Sequence, residues 1–233
     1  MSDHLSRKEL KHDTVAPSLD EVFTNVSSHK SQITKYGGAI LAVALVVGLT
    51  VYYRDYTAGV RQQALGDAIQ TQSAPVGAAQ GGGPSFPSEA AKKEAVIKAY
   101  TKLSTDHAGS AEGYIAEYAL GSLDVDNGKL ADARKKFEDV ISGGGAEYAS
   151  MARLALAQIA FAEDKTDEAK KLLKELADNP TAMVSKNQAN FALARGIAAK
   201  DPAEARKLLI AMAESKSEIS QVAVQALGEL PPQ

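Results

Sequence analysis

The chain has 233 residues and a net charge of −3, so no global basic field points to nucleic acid as a partner. It has no cysteine, which excludes disulfides, thiolate metal sites, a cysteine nucleophile and a lipid-modified cysteine. The lack of tryptophan, an aromatic content of only 6 % and abundant alanine suit closely packed helices rather than a strand-rich sandwich.

Residues 1–35 read as a polar tail. The first 17 predict a disordered segment, and Ser18-Leu19-Asp20-Glu21 then forms a capping-box sequence opening a short amphipathic helix. Residues 36–54 predict a transmembrane helix. Gly37 to Tyr53 are 17 residues without charge, amide or proline, and at 1.5 Å per residue they span about 25 Å. Tyr36 stands at one end and Tyr52 and Tyr53 at the other, where amphipathic rings favour the headgroup level, with Lys35 and Arg54 as flanking charges. Five Lys/Arg precede the span (Arg7, Lys8, Lys11, Lys30, Lys35), whereas only Arg54 and Arg61 lie between it and Lys92. That bias predicts a cytoplasmic N-terminus and an extracytoplasmic C-terminal part. The tail is too long for a typical signal-peptide n-region, so an uncleaved anchor is expected.

Residues 55–72 contain no proline and predict a stem that continues the membrane helix, with Val60, Ala64, Leu65, Ala68 and Ile69 on one face. Residues 73–87 hold three prolines and four glycines and read as a flexible linker. Gly81-Gly82-Gly83 is not a phosphate loop, because no Gly-Lys-Ser/Thr follows.

Residues 88–230 repeat themselves. Ala133, Ala169 and Ala205 are 36 residues apart, as are Phe137, Leu173 and Leu209, and Val140, Leu176 and Met212. An alanine, a large apolar residue four later and another three later form one face of a helix, here termed helix B. The basic pairs Arg134-Lys135, Lys170-Lys171 and Arg206-Lys207 recur at the same interval and, with Lys136, predict a solvated face. A preceding helix A carries Leu120-Gly121, Leu156-Ala157 and Leu193-Ala194, spaced 36 and 37 residues apart. Asn127-Gly128, Thr166 and Asp201-Pro202 mark the turns between the two. Ser88 to Ser104 reads as a first helix B, whose helix A is the stem around Ala64, Leu65 and Gly66. Ser217 to Leu230 reads as a lone capping helix. A helix pair cannot bury its apolar face alone, so the pairs stack.

A unit of this length, with Leu-Gly in helix A and Ala-x3-Phe in helix B, resembles the tetratricopeptide repeat. Leu120, Gly121, Gly128, Ala133 and Phe137 carry the likeness. Glu117 stands where that repeat usually has tryptophan, the period is 36, and only Asn179-Pro180 supplies a closing proline. The fold expected is all-α, an N-terminal transmembrane helix followed by a tetratricopeptide-like solenoid of antiparallel helix pairs. The layout is similar to the membrane-anchored ancillary subunits of the bacterial SecY-E-G translocon. That likeness implies a bacterial inner-membrane protein whose periplasmic domain contacts translocon subunits, emerging secreted clients or periplasmic chaperones. A structural scaffold for cell-envelope assembly or division is the alternative.

No enzyme chemistry, metal or cofactor is expected. His4, His12 and His29 lie in the tail and His107 before a helix A, so they cannot converge. Asp124-Val125-Asp126-Asn127-Gly128 opens like a calcium loop, but its glycine and closing glutamate positions fall on Lys129 and Lys135. In stacked helix pairs the A helices line the concave side, which makes Tyr114, Glu117, Tyr118, Arg153, Gln158, Asn187, Asn190 and Arg195 the candidate protein-binding residues; the equal alternative is that several of them pack between helices.

Overall fold

The computed structural model describes residues 30–77, 85–215 and 219–230, with side chains from Tyr36 onward. The Ser18-capped helix and the triglycine lie outside these residues. Among the described residues all nine regular elements are α-helices. The chain divides into two compact units, residues 1–59 and 60–233.

Helix α1 (Lys30–Ser73) begins in the first unit. There its apolar side chains are uncovered, Leu41 at 64 % and Leu49 at 66 % exposure, and the helix is long and apolar enough to cross a membrane. The Thr50 hydroxyl donates to the Val46 carbonyl at 2.7 Å, so the one hydroxyl outside the aromatics between Gly37 and Tyr53 is satisfied within the helix. In hydrocarbon an unpaired polar group has no water to turn to.

In the second unit the last turns of α1 pack as an A helix. Ala64, Leu65 and Ala68 meet Val96, Tyr100 and Leu103 of α2 (Glu89–Asp106) and Ala116 and Leu120 of α3 (Ala111–Asp126). Arg61 Nε donates to Glu112 at 3.0 Å, and the Tyr100 hydroxyl donates to the Gln72 side chain. One detail differs from expectation. Gly66 is exposed and a Cβ there would meet nothing, whereas Ala68 is 1 % exposed at the crossing. Residues 61, 64, 65, 68 and 72 share one helical face, and 66 falls off it. The ends of the linker are held together, Phe86 N–H donating to the Pro75 carbonyl at 3.0 Å and Gly77 N–H to the Phe86 carbonyl at 2.9 Å.

The remaining helices are α4 (Leu130–Gly143), α5 (Gly145–Ala162), α6 (Thr166–Asp178), α7 (Lys186–Ile197), α8 (Pro202–Glu214) and α9 (Ser220–Glu229). Side chains set several starts: Ser88, Ser110 and Asp201 each accept a backbone N–H at N3, and Ser185 forms a capping box with Gln188. The α3–α4 and α5–α6 turns are alike. Gly128 (φ 71°) and Asp164 (φ 61°), 36 residues apart, are both left-handed. Lys129 and Lys165 N–H groups return to the Asp124 and Ala160 carbonyls at 2.8 Å, as in a Schellman motif. Asp164 therefore makes the break, and Thr166, expected to break or cap there, is the first residue of α6.

The core follows the repeat. The B-helix triads Val96/Tyr100/Leu103, Ala133/Phe137/Val140, Ala169/Leu173/Leu176 and Ala205/Leu209/Met212 are all buried. Against them lie the small A-helix residues Gly121, Ala157 and Ala194. Two members of the basic pairs depart from the solvated face expected of them. Lys135 and Lys171 are exposed, but Arg134 reaches Glu168 at 2.6 Å and Glu163 at 2.8 Å, and Lys170 reaches Glu204 at 2.6 Å. Each contact to Glu168 or Glu204 links a B helix to the next one, 34 residues on, and Lys136 pairs with Asp124 at 2.7 Å. Successive A helices touch directly, α3 on α5 and α5 on α7. The B helices α4 and α6, and α6 and α8, meet through these long side chains.

Candidate protein-binding surface

The 36- and 37-residue spacings align the A helices in rows: Tyr114–Ser150–Asn187, Glu117–Arg153–Asn190, Tyr118–Leu154–Phe191, Ser122–Gln158–Arg195 and Val125–Phe161–Ala198. The rows face different surroundings, and the eight candidate residues separate accordingly.

Tyr114 packs against the end of α4. A Cβ on Gly143 would lie 2.0 Å from its hydroxyl oxygen, so the glycine makes room for the ring. In the same row Ser150 is buried, its hydroxyl 2.8 Å from that of Thr181, and Asn187 is half-buried.

The next row also turns to the B helix. Arg153 pairs with Glu175 of α6 at 3.4 Å. One repeat earlier the same slot holds Glu117 beside α4, whose Asp139 is aligned with Glu175. Two acids thus meet where the following repeat has an ion pair, and in the third repeat half-buried Asn190 is aligned against Ala211. One Glu117 carboxylate oxygen is sealed from solvent without a hydrogen-bond partner. Burial pushes the Glu117 carboxyl up and Asp139 adds to this, with Lys136 opposing.

The folded chain therefore holds this proton above the ordinary glutamate range while the unfolded chain releases it. Stability falls as pH rises from that range through the raised value, then stays at the lower level. A Glu117→Gln chain should lack this loss and gain on the order of 1 kcal/mol over the native chain at neutral pH. Glu117→Arg, pairing with Asp139, should gain at least as much. Thermal melts at about pH 4 and about pH 7.5 check this; the advantage of Glu117→Gln should vanish at the lower value.

Tyr118 and Gln158 come together. The Tyr118 ring lies 5.5 Å from Phe137 and 6.1 Å from Tyr148. It walls a cleft of about 250 Å³ between α3, α4 and α5, lined also by Ser122, Val125, Phe137, Gln158 and Ile159. At the following junction that space is filled. A Cβ on Gly196 would lie 2.1 Å from the Phe161 ring, so the glycine admits the phenylalanine. Gly196 is aligned with Ile159, and Phe161 with the smaller Val125. Arg195 is exposed, its guanidinium 6.0 Å from the Phe191 ring centre. Val125 and Ile159 were missed as lining residues, although 118, 122 and 125 share one face at i, i+4 and i+7. A second hollow, of about 460 Å³, lies beyond α3 among Gln72, Lys92, Lys93, Val96, Leu123 and Asp126.

Residues 30–229 match a family profile described as a tetratricopeptide repeat-like domain. No curated protein and no solved structure matches the chain.

Proposed function

The chain belongs to the tetratricopeptide repeat-like family, and from that premise we propose that it is a membrane-anchored adaptor whose repeats bind other proteins on the extracytoplasmic side of a bacterial inner membrane. The family membership supports protein binding, and repeats of this kind are interaction scaffolds. The observation that carries the rest is α1. In its first unit the side chains from Tyr36 to Tyr56 are uncovered, and lipid is the solvent that would cover so apolar a surface. The Lys/Arg excess before the span supports a cytoplasmic tail.

Anchoring has a physical use. It raises the local concentration of the repeats beside membrane-embedded partners, so weak and reversible contacts suffice. Partners with that geometry are translocon subunits, secreted clients as they emerge, and periplasmic chaperones receiving them. Such an adaptor assists translocation or chaperone hand-over by holding clients near the exit.

Two measurements test this reading. Protease added to intact spheroplasts should digest the repeats and leave the span; a protected repeat unit overturns the orientation. A photo-crosslinker at Gln158 should capture translocon subunits, secreted clients or chaperones in membranes, whereas one at exposed Lys135 should not. Recovery of only unrelated proteins, or the same set from both positions, overturns the adaptor role.

A further inference from the structure

The protein-binding reading leaves open what chemistry the repeats recognise, and the cleft between α3 and α5 narrows it. Its volume, about 250 Å³, is below the range of small-molecule sites, roughly 300–1,000 Å³. That size suits one side chain. The walls from Tyr118, Val125, Leu130, Phe137 and Ile159 are apolar or aromatic. Two polar groups stand among them. Gln158 is exposed and its carboxamide has no hydrogen-bond partner among the described residues, so it offers a donor and an acceptor to a peptide backbone. Ser122 donates to the Tyr118 carbonyl at 3.1 Å and retains its acceptor capacity.

Asp126 is the one charged residue lining the cleft. It is exposed, occupies the last position of α3, and has neither ion pair nor hydrogen bond among the described residues. A carboxylate at a helix C-terminus opposes the helix dipole, and no ion pair among the described residues offsets the cost. Its companion Asp124 is taken by Lys136. On the far side of Asp126, Lys92 and Lys93 line the second hollow; Lys93 bonds Asn127, and Lys92 forms no ion pair with Asp126. A residue that breaks a local rule without internal compensation marks a place where a partner supplies it. At the following junction Phe161 closes the equivalent space.

We propose that the cleft receives one aliphatic or aromatic side chain of an extended peptide segment, and that an adjacent lysine or arginine of that peptide pairs with Asp126 at the rim. The proposal rests on the protein-binding reading above and names its ligand class.

The test uses the full chain in phospholipid nanodiscs and three fluorescent peptides in a Gly-Ser frame, with cores Lys-Phe-Lys, Glu-Phe-Glu and Lys-Ser-Lys. Fluorescence anisotropy should show Lys-Phe-Lys binding about tenfold or more tightly than either other peptide. Val125→Phe, which copies the plug at the next junction, should weaken Lys-Phe-Lys by at least about tenfold at unchanged helical circular dichroism. Ala162→Phe should do the same if Val125→Phe fails to fold. Asp126→Asn should bring Lys-Phe-Lys and Glu-Phe-Glu within about threefold of each other. Equal binding of Lys-Ser-Lys, indifference to both filling variants, binding to empty nanodiscs alone, or no binding overturns the proposal. If the peptides fail while Gln158 still crosslinks proteins in membranes, the cleft chemistry falls and the adaptor reading stands.

Discussion

Replacing Phe137 with alanine should cost about 3–5 kcal/mol, the largest loss expected from a single side chain in the repeats. The ring is 1 % exposed, stacks obliquely on Tyr118 and fills the space left by Gly121, so its removal leaves a cavity between α3, α4 and α5. In a stacked array the damage is shared with the neighbouring interface, because each pair is stabilised mainly by the next. A fall in melting temperature on the order of 10 °C is expected for a domain of this size. Phe137→Leu should cost less than half as much, since most of the volume is kept.

A sharper form of this expectation couples Phe137 to Gly121. A Cβ on Gly121 would sit 2.8 Å from Cε1 and 3.1 Å from Cζ of the ring, which is buried and has nowhere to move. Gly121→Ala alone should therefore destabilise by about 1 kcal/mol, overpacking outweighing the better helix propensity of alanine. In the Phe137→Ala background the clash is gone. The same change should then stabilise, by about 0.5–1 kcal/mol. Urea titrations of the four chains measure the coupling. Additive effects would show that Phe137 and Gly121 do not share one tight contact.

The second large effect concerns α1. Leu45 and Leu49 are uncovered, and replacing both with arginine changes the insertion balance by about 6–8 kcal/mol. The remaining aliphatic residues of the span contribute only about 2–3 kcal/mol in favour, so the sum reverses sign. The double variant should leave the carbonate-resistant membrane pellet, while its repeats melt at an unchanged temperature. Arginines at Tyr36 and Tyr53 instead should leave the chain membrane-bound, because side chains at the ends of a span extend to the headgroups. Retention of the Leu45/Leu49 variant in the pellet would sink the anchor.

The B helices were legible because each buries one stripe and exposes the rest. Ala169, Leu173 and Leu176 stand among Lys170, Lys171, Lys174 and Glu175, so burial and the 3.6-residue period coincide. The A helices are different. In α5 alanine and leucine occur nearly all round, and Ala152, Leu156, Ile159 and Ala160 are all buried. Such a helix has several apolar faces, and its own sequence does not say which one meets which neighbour. Tyr114, Glu117 and Arg153 therefore looked like groove residues and turned towards the B helices, while Tyr118 and Gln158 reached the cleft. The ion pairs of Arg134 and Lys170 were not legible for a related reason. Arg134 and Lys170 lie on the polar stripe, but their partners Glu168 and Glu204 are 34 residues away and approach only when the pairs stack.

The sequence by itself determined that the chain is helical, that its repeat is 36 residues, that α1 carries an uninterrupted apolar span, and which B-helix triads form the core. These depend on period and composition, which are local. Only the tertiary structure decided that Ala68 rather than Gly66 meets the first pair, that Asp164 makes the turn before α6, and that Phe161 closes one junction while Val125 leaves the other open. Each of these depends on side-chain volumes facing each other across helices, and no single helix contains that information.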